Sequence, residues 1–134
     1  MKDFPLTIVT PDGQLFDGQA QELIVRTTSG DLGILAGHVN CVAPLGMGLA
    51  TVVVDGKRRY GACIGGMVSV LNGSVKLVPT TFEWAEQIDA ARAALSEQRA
   101  KAVIADKTSS STDLRLAEAR LKRALVRKRV AEYK

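Results

Sequence analysis

An antiparallel β-sandwich followed by a two-helix antiparallel hairpin is the fold class this sequence predicts, on three observations. All twelve glycines and all four prolines lie at or before Pro79, and the 55 residues beyond contain neither. Turn-makers crowd a chain of short strands that reverses often, whereas a tail without them, rich in Ala, Leu, Arg, Lys and Glu, carries helix propensity throughout. Charge divides at the same place: residues 1–79 hold six basic and six acidic side chains, residues 80–134 twelve and eight, so the formal +4 belongs to the tail. Apolar residues make up 46% and aromatics only 4%, which calls for an aliphatic core. The expected domains are 1–84, the sandwich, and 85–134, the hairpin.

The elements follow in order. Residues 6–10 alternate and are β-branched, and Pro11-Asp12-Gly13 turns them back into a strand over 14–16. Leu23, Val25 and Thr27 alternate with Glu22, Ile24 and Arg26 in a third strand. Asp55-Gly56 joins strands over 49–54 and 57–64, and Asn72-Gly73 joins strands over 67–71 and 74–78; both dipeptides tolerate positive φ at two successive residues, as a tight hairpin requires. In the tail, Asp89 can cap a first helix running to about Ala105, with Ala91, Leu95, Ala102 and Val103 on one face. A polar loop over 106–113 follows. Asp113 can cap the second helix, in which Leu114, Ala117, Leu121, Ala124 and Leu125 recur at helical spacing. Facing stripes that are half alanine bury few large side chains, so the closed hairpin is expected to be marginal.

Several function classes are disfavoured. Neither cysteine stands beside a base, His38 is the single histidine and has no acid–nucleophile pattern around it, and no Walker loop, dinucleotide-binding glycine pattern or metal-ligand spacing occurs. No catalytic residue and no metal ligand is assigned. Cys41 and Cys63 sit among apolar neighbours and read as buried thiols in a reducing compartment. The uncharged run 33–54 is broken by four glycines, Pro44, His38 and Asn40, so it reads as strands and loops rather than a membrane span. The first residues lack the apolar segment of a signal peptide, and the chain is expected to stay where it is made.

Two stretches point to contacts. In 29–38 apolar residues alternate with three glycines; this is either a crossover whose Leu32 and Ile34 plug the sandwich or a loop that lies flat against a partner. In the tail, Asp89 and Arg92 share a helical face, Arg99 follows on nearly the same stripe, and Arg123 and Arg127 share a face of the second helix. A hairpin turning near Ser109 gathers Arg92, Arg99, Arg123 and Arg127. Each like-charge pair at about 7 Å costs about 0.6 kcal/mol in water and about 2 kcal/mol at a protein surface. A polyanion would relieve that cost. The alternatives are a solvated basic face, with Glu97 and Glu118 as partial partners, and a small nucleic-acid-binding module with a basic helical tail, which the lack of aromatics among the basic residues weakens.

The order of sandwich and hairpin, with Thr10-Pro11-Asp12-Gly13 early, 30–38 (GDLGILAGH) in the middle and Leu121-Lys122-Arg123-Ala124 late, resembles the epsilon subunit family of bacterial F-type ATP synthases over essentially the whole chain. Asp31 and Ala36 stand where the family usually has Glu and Pro. The resemblance implies a non-catalytic regulatory and coupling subunit on the cytoplasmic face of the cell membrane, peripheral to it. Its sandwich would bind the gamma subunit and the ring of c subunits, with Asp31, Gly33 and His38 near that footing. Its helices would fold as a hairpin or extend toward the alpha and beta subunits and hinder ATP hydrolysis. The family's ATP-binding pattern in bacilli, Ile or Leu, Asp, two variable residues, Arg, Ala, is matched at Ile88, Asp89, Arg92 and Ala93. By that resemblance Glu83, Ile88, Asp89 and Ala93 hold the adenosine end of a regulatory ATP, and Arg92, Arg99, Arg123 and Arg127 its phosphates. A Mg2+ ion accompanying the nucleotide is part of the same implication, without a nameable protein ligand.

Overall fold

The computed structural model describes residues 2–134 and divides into two compact units, one ending at Trp84 and one spanning Ala85–Lys134. The first unit is built of ten strands: β1 (Phe4–Thr10), β2 (Gly13–Ala20), β3 (Glu22–Thr27), β4 (Gly30–Ile34), β5 (Cys41–Pro44), β6 (Met47–Val54), β7 (Lys57–Ile64), β8 (Met67–Leu71), β9 (Ser74–Val78) and β10 (Thr81–Trp84). They form two five-stranded sheets, ordered β2-β1-β9-β8-β5 and β10-β7-β6-β3-β4. All pairings are antiparallel except β1 with β9, which run parallel with Leu6 opposite Val75.

Alternation places the core. Leu6 and Ile8 of β1, Leu23 and Val25 of β3, Val68 and Val70 of β8, and Val75 and Leu77 of β9 are buried at every second position, as the two-residue period of a strand demands. Each such side chain contributes about 1.5–3 kcal/mol by leaving water. At the two tight turns, Asp55 and Gly56 have φ of 52° and 75°, and Asn72 and Gly73 have 50° and 84°, the left-handed pair that fits the twist of the flanking strands. Three strands lie where no strand was expected. β4 occupies part of the glycine-rich stretch, β5 part of the uncharged run, and β10 the four residues before the tail, because pairing with β3, β8 and β7 respectively outweighs weak local propensity.

β10 closes its sheet through aromatics. The Phe82 and Trp84 rings meet edge to face at 4.9 Å, and the Arg59 guanidinium lies 3.7 Å over the Trp84 ring. Gly61, opposite Trp84 on β7, leaves the space that the Phe82 ring occupies; a Cβ there would collide with the ring. Cys63 is buried, which pushes its thiol up to about 12 and leaves it inert, whereas Cys41 is only half-buried, on an edge strand.

The second unit opens with a single 3-10 turn (Ala85–Gln87) and continues as α1 (Ala90–Ala105) and α2 (Ser111–Ala131), which pack on each other. Asp89 caps α1, accepting from the Arg92 amide at 3.0 Å. The cap of α2 is Ser110 rather than Asp113. Ser110 Oγ accepts from the Asp113 amide and the Asp113 carboxylate accepts from the Ser110 amide, so Asp113 is the third-position partner of a reciprocal capping box.

On α1 the buried stripe is rotated from the one expected, whereas on α2 Ala117 and Ala124 are buried as expected and Leu125 is not. Ala93, Glu97 and Ala100 are buried on α1, and Ala117, Ala124 and Ala131 on α2, while Leu95, Val103, Leu116 and Leu125 are exposed. Alanines bring helix axes close, and the long leucines are left outside the seam. Hydrogen bonds that join the chain across the hairpin include Ser109 Oγ donating to the Val103 carbonyl at the turn, Lys128 Nζ to Glu97 Oε1 midway, and Lys134 Nζ to the Ile88 carbonyl at the open end.

Candidate functional site: a basic groove and an exposed edge strand

Helical spacing determines which arginines of the second unit can meet. On α2, positions 120, 123 and 127 advance by three and four residues and so share a face. On α1, Arg99 lies one residue before the buried Ala100, beside the helix seam. A groove of about 490 Å³ runs along this unit, lined by Arg99 from α1 and by Arg120, Arg123 and Arg127 from α2. Arg123 and Arg127 are half-buried; Arg99 and Arg120 are exposed. Toward the helix-connecting loop the lining passes to Val103, Ser109, Asp113 and Ala117.

Glu97, expected from sequence as a partial partner of the basic face, is engaged elsewhere. It is 7% exposed and binds Lys128 at 2.9 Å and Lys101 at 3.2 Å. The Lys128 and Lys101 hydrogen bonds, in that order, lower its pKa and keep it ionised. Among the described residues, Arg99, Arg120 and Arg123 have no carboxylate partner. The groove therefore holds three uncompensated guanidiniums together with Arg127, an arrangement that repels itself and attracts a polyanion.

Of the residues that sequence reasoning singled out for phosphates, Arg99, Arg123 and Arg127 meet in the groove. Arg92 stands outside its lining, exposed in the first turn of α1. Arg120 takes the fourth place and was missed, although its spacing from Arg123 and Arg127 was available as a signal. Ile88 and Ala93 are buried and Asp89 is exposed; Glu83 belongs to β10 of the first unit. Among the described residues no three His, Cys, Asp or Glu side chains gather to hold a metal.

In the first unit, β4 is an edge strand, alternating outward and inward. Ile34 is fully buried and Leu32 packs against the core, so both plug the sandwich, while Asp31 and Gly33 face outward. Asp31 pairs with Arg26 Nε at 3.0 Å, and a Cβ built on Gly33 would meet nothing within 4 Å. The following turn leaves Leu35 53% and Val39 74% exposed, and the half-buried His38 has Nδ1 2.8 Å from the Val39 carbonyl.

A ten-strand sandwich joined to a helical hairpin with an arginine-lined groove defines a two-unit class of small subunits, and comparison with known proteins makes it specific. The family model described as ATP synthase, Delta/Epsilon chain, beta-sandwich domain matches residues 3–85. Relatives include the ATP synthase epsilon chain of Bacillus velezensis, 41% identical over 131 residues covering 98% of each chain. That of Ruminococcus albus is 41% identical over 135 residues covering 100% of each. A chain in a Euglena gracilis mitochondrial ATP synthase structure has the same fold, with TM-score 0.84 at 24% identity over 98% of this chain and 82% of that one. The chain belongs to the epsilon chain family of ATP synthases, a family of non-catalytic subunits. These relatives lend no support to the nucleic-acid alternative. No described helix is long and apolar enough to cross a membrane.

Proposed function

We propose that this chain is the regulatory and coupling subunit of the rotor of a proton-translocating F-type ATP synthase, peripheral to the membrane on its cytoplasmic side, and that its hairpin senses ATP. The observation that carries the sensing role is the groove in which Arg99, Arg123 and Arg127 converge while Glu97 is held by lysines. Phosphate oxygens would accept charge-assisted hydrogen bonds from these guanidiniums, and Ile88, Asp89 and Ala93 would meet the adenosine at the open end of the hairpin. Arg92, about two turns before Arg99 on α1, would approach the phosphates from that helix. Any Mg2+ brought with the nucleotide would be held by its phosphates. Because the arginines come from both helices, ATP binds the closed hairpin only and stabilises it by linkage. Without ATP the helices extend, and their basic side chains reach the alpha and beta subunits and slow hydrolysis.

The coupling role rests on the edge strand and its turn. Outward Asp31 and Gly33, the exposed Leu35 and Val39, and His38 form a surface with little side-chain bulk at its centre, suited to close contact with the gamma subunit and the c-ring. The test is equilibrium titration of the isolated chain with ATP, paired with a distance probe between residues 102 and 125, which are exposed and outside the groove lining. Micromolar to millimolar binding that shortens and narrows the distance supports the reading. Absence of binding, with the hairpin closed regardless, overturns the sensing role.

A further inference from the structure

Arg127, Arg123 and Arg120 form an ordered ladder on one face of α2, and its direction has a chemical meaning. From Arg127 to Arg120 the helix rises about 10 Å, and a further rise of about 10 Å brings it to Asp113 at the other end of the groove. Arg127 is nearest the open end, where Ile88 accepts from Lys134; Arg120 is farthest along the ladder toward the loop. Beyond it the lining changes to Ala117, Leu116 and the Asp113 carboxylate, which is already engaged with the Ser110 amide. A polyanion entering from the open end thus meets positive charge as far as Arg120 and then an apolar stretch closed by a negative charge.

We infer that Arg120 is the specificity-determining residue by which this groove distinguishes a nucleoside triphosphate from a diphosphate. The inference rests on the nucleotide reading above, in which the base lies at the open end. In that orientation successive phosphates advance along the ladder, and the terminal phosphate of a triphosphate is the one that reaches Arg120. A diphosphate ends at Arg123 and Arg127 and leaves Arg120 to water. Arg120 is exposed and has no carboxylate partner among the described residues, so its charge is available and its loss disturbs no internal contact. Arg99 faces the ladder from α1 and serves both ligands.

The experiment titrates the full chain and its Arg120→Gln variant with ATP, ADP, inorganic tripolyphosphate and pyrophosphate, with helix content and thermal midpoint as controls on folding. One charge-assisted contact at a partly solvated site predicts about a tenfold loss of affinity for ATP and tripolyphosphate, with ADP and pyrophosphate changed less than about twofold. Arg120→Lys restores part of the ATP affinity, because the point charge remains and the planar fork does not. Equal losses for ATP and ADP would make Arg120 a general attractor and overturn the inference, as would unchanged ATP affinity. If the wild-type chain binds tripolyphosphate but prefers neither ATP nor ADP over it, the ladder stands and the adenosine assignment falls. If it binds none of the four ligands, the nucleotide reading itself fails.

Discussion

Glu97 Oε1 accepts a hydrogen bond from Lys128 Nζ at 2.9 Å, joining residues 31 apart in sequence across the two helices. A seam made mostly of alanine supplies little burial, and this contact adds a polar tie across it between a nearly buried carboxylate and a half-exposed lysine, while Lys101 binds the same carboxylate from within α1. It also removes Glu97 from the arginines. One pairing thereby ties the two helices together and occupies a carboxylate beside the seam.

Glu97→Gln is expected to loosen the closed hairpin at neutral pH and to lower ATP affinity indirectly, although position 97 does not line the groove. The pH dependence has a definite sign. Lys128 and Lys101 depress the Glu97 pKa in the closed form, so its contribution is present above the ordinary value of 4.5 and is lost as pH falls through the depressed value. Closure of the wild type should weaken only in that acid window, with a smaller acid dependence in Glu97→Gln. Distance distributions between labels on α1 and α2 from pH 7 down to pH 3 check both statements.

Gly33→Leu should fold normally, because a side chain at this outward position of the edge strand meets nothing in the chain itself and Gly33 is not among the positive-φ residues. Loss of binding to the rotor in that variant would report a partner's close approach. Unchanged assembly and unchanged proton-coupled synthesis would remove Gly33 from the interface. Thermal unfolding of the isolated variant, run alongside reconstitution, separates the two effects.

Arg123→Ala and Arg127→Ala should each weaken ATP binding by about tenfold to a hundredfold, since each removes a charge-assisted contact worth about 1.5–3 kcal/mol. Arg92→Ala should cost less, because Arg92 is outside the groove lining. Calorimetric titration ranks the three. A loss in Arg92→Ala equal to the other two would mean that the ligand seats nearer the first turn of α1 than the groove indicates.

Gly61→Val should destabilise the sandwich by about 1–3 kcal/mol, because a branched side chain would displace the Phe82 ring and with it the edge-to-face contact to Trp84. A drop in thermal midpoint accompanied by altered tryptophan fluorescence is the expected signature. Glycine at this place is thus a packing requirement.

Local chemistry was enough to determine some features from sequence. Asp55-Gly56 and Asn72-Gly73 turn tightly because positive φ is tolerated there, and the tail is helical because nothing in it breaks a helix. Asp89 caps α1 with a carboxylate three residues from the amide it accepts, and Arg123 and Arg127 share a face by their spacing alone. Other features depended on which surfaces meet. Sequence spacing gives the relative angle of two residues on a helix but not the side turned to a neighbour, so the burial of Glu97 and the exposure of Leu95 and Leu116 were decided by the close approach that alanines permit. The same choice brought Arg120 into the groove and left Arg92 out. Ser110 displaced Asp113 as the cap because a reciprocal pair satisfies two amides where one carboxylate would satisfy fewer. In the sandwich, β4, β5 and β10 exist because β3, β8 and β7 offer them partners, and β1 lies parallel to β9 because long-range pairing carries information that no short stretch of sequence contains.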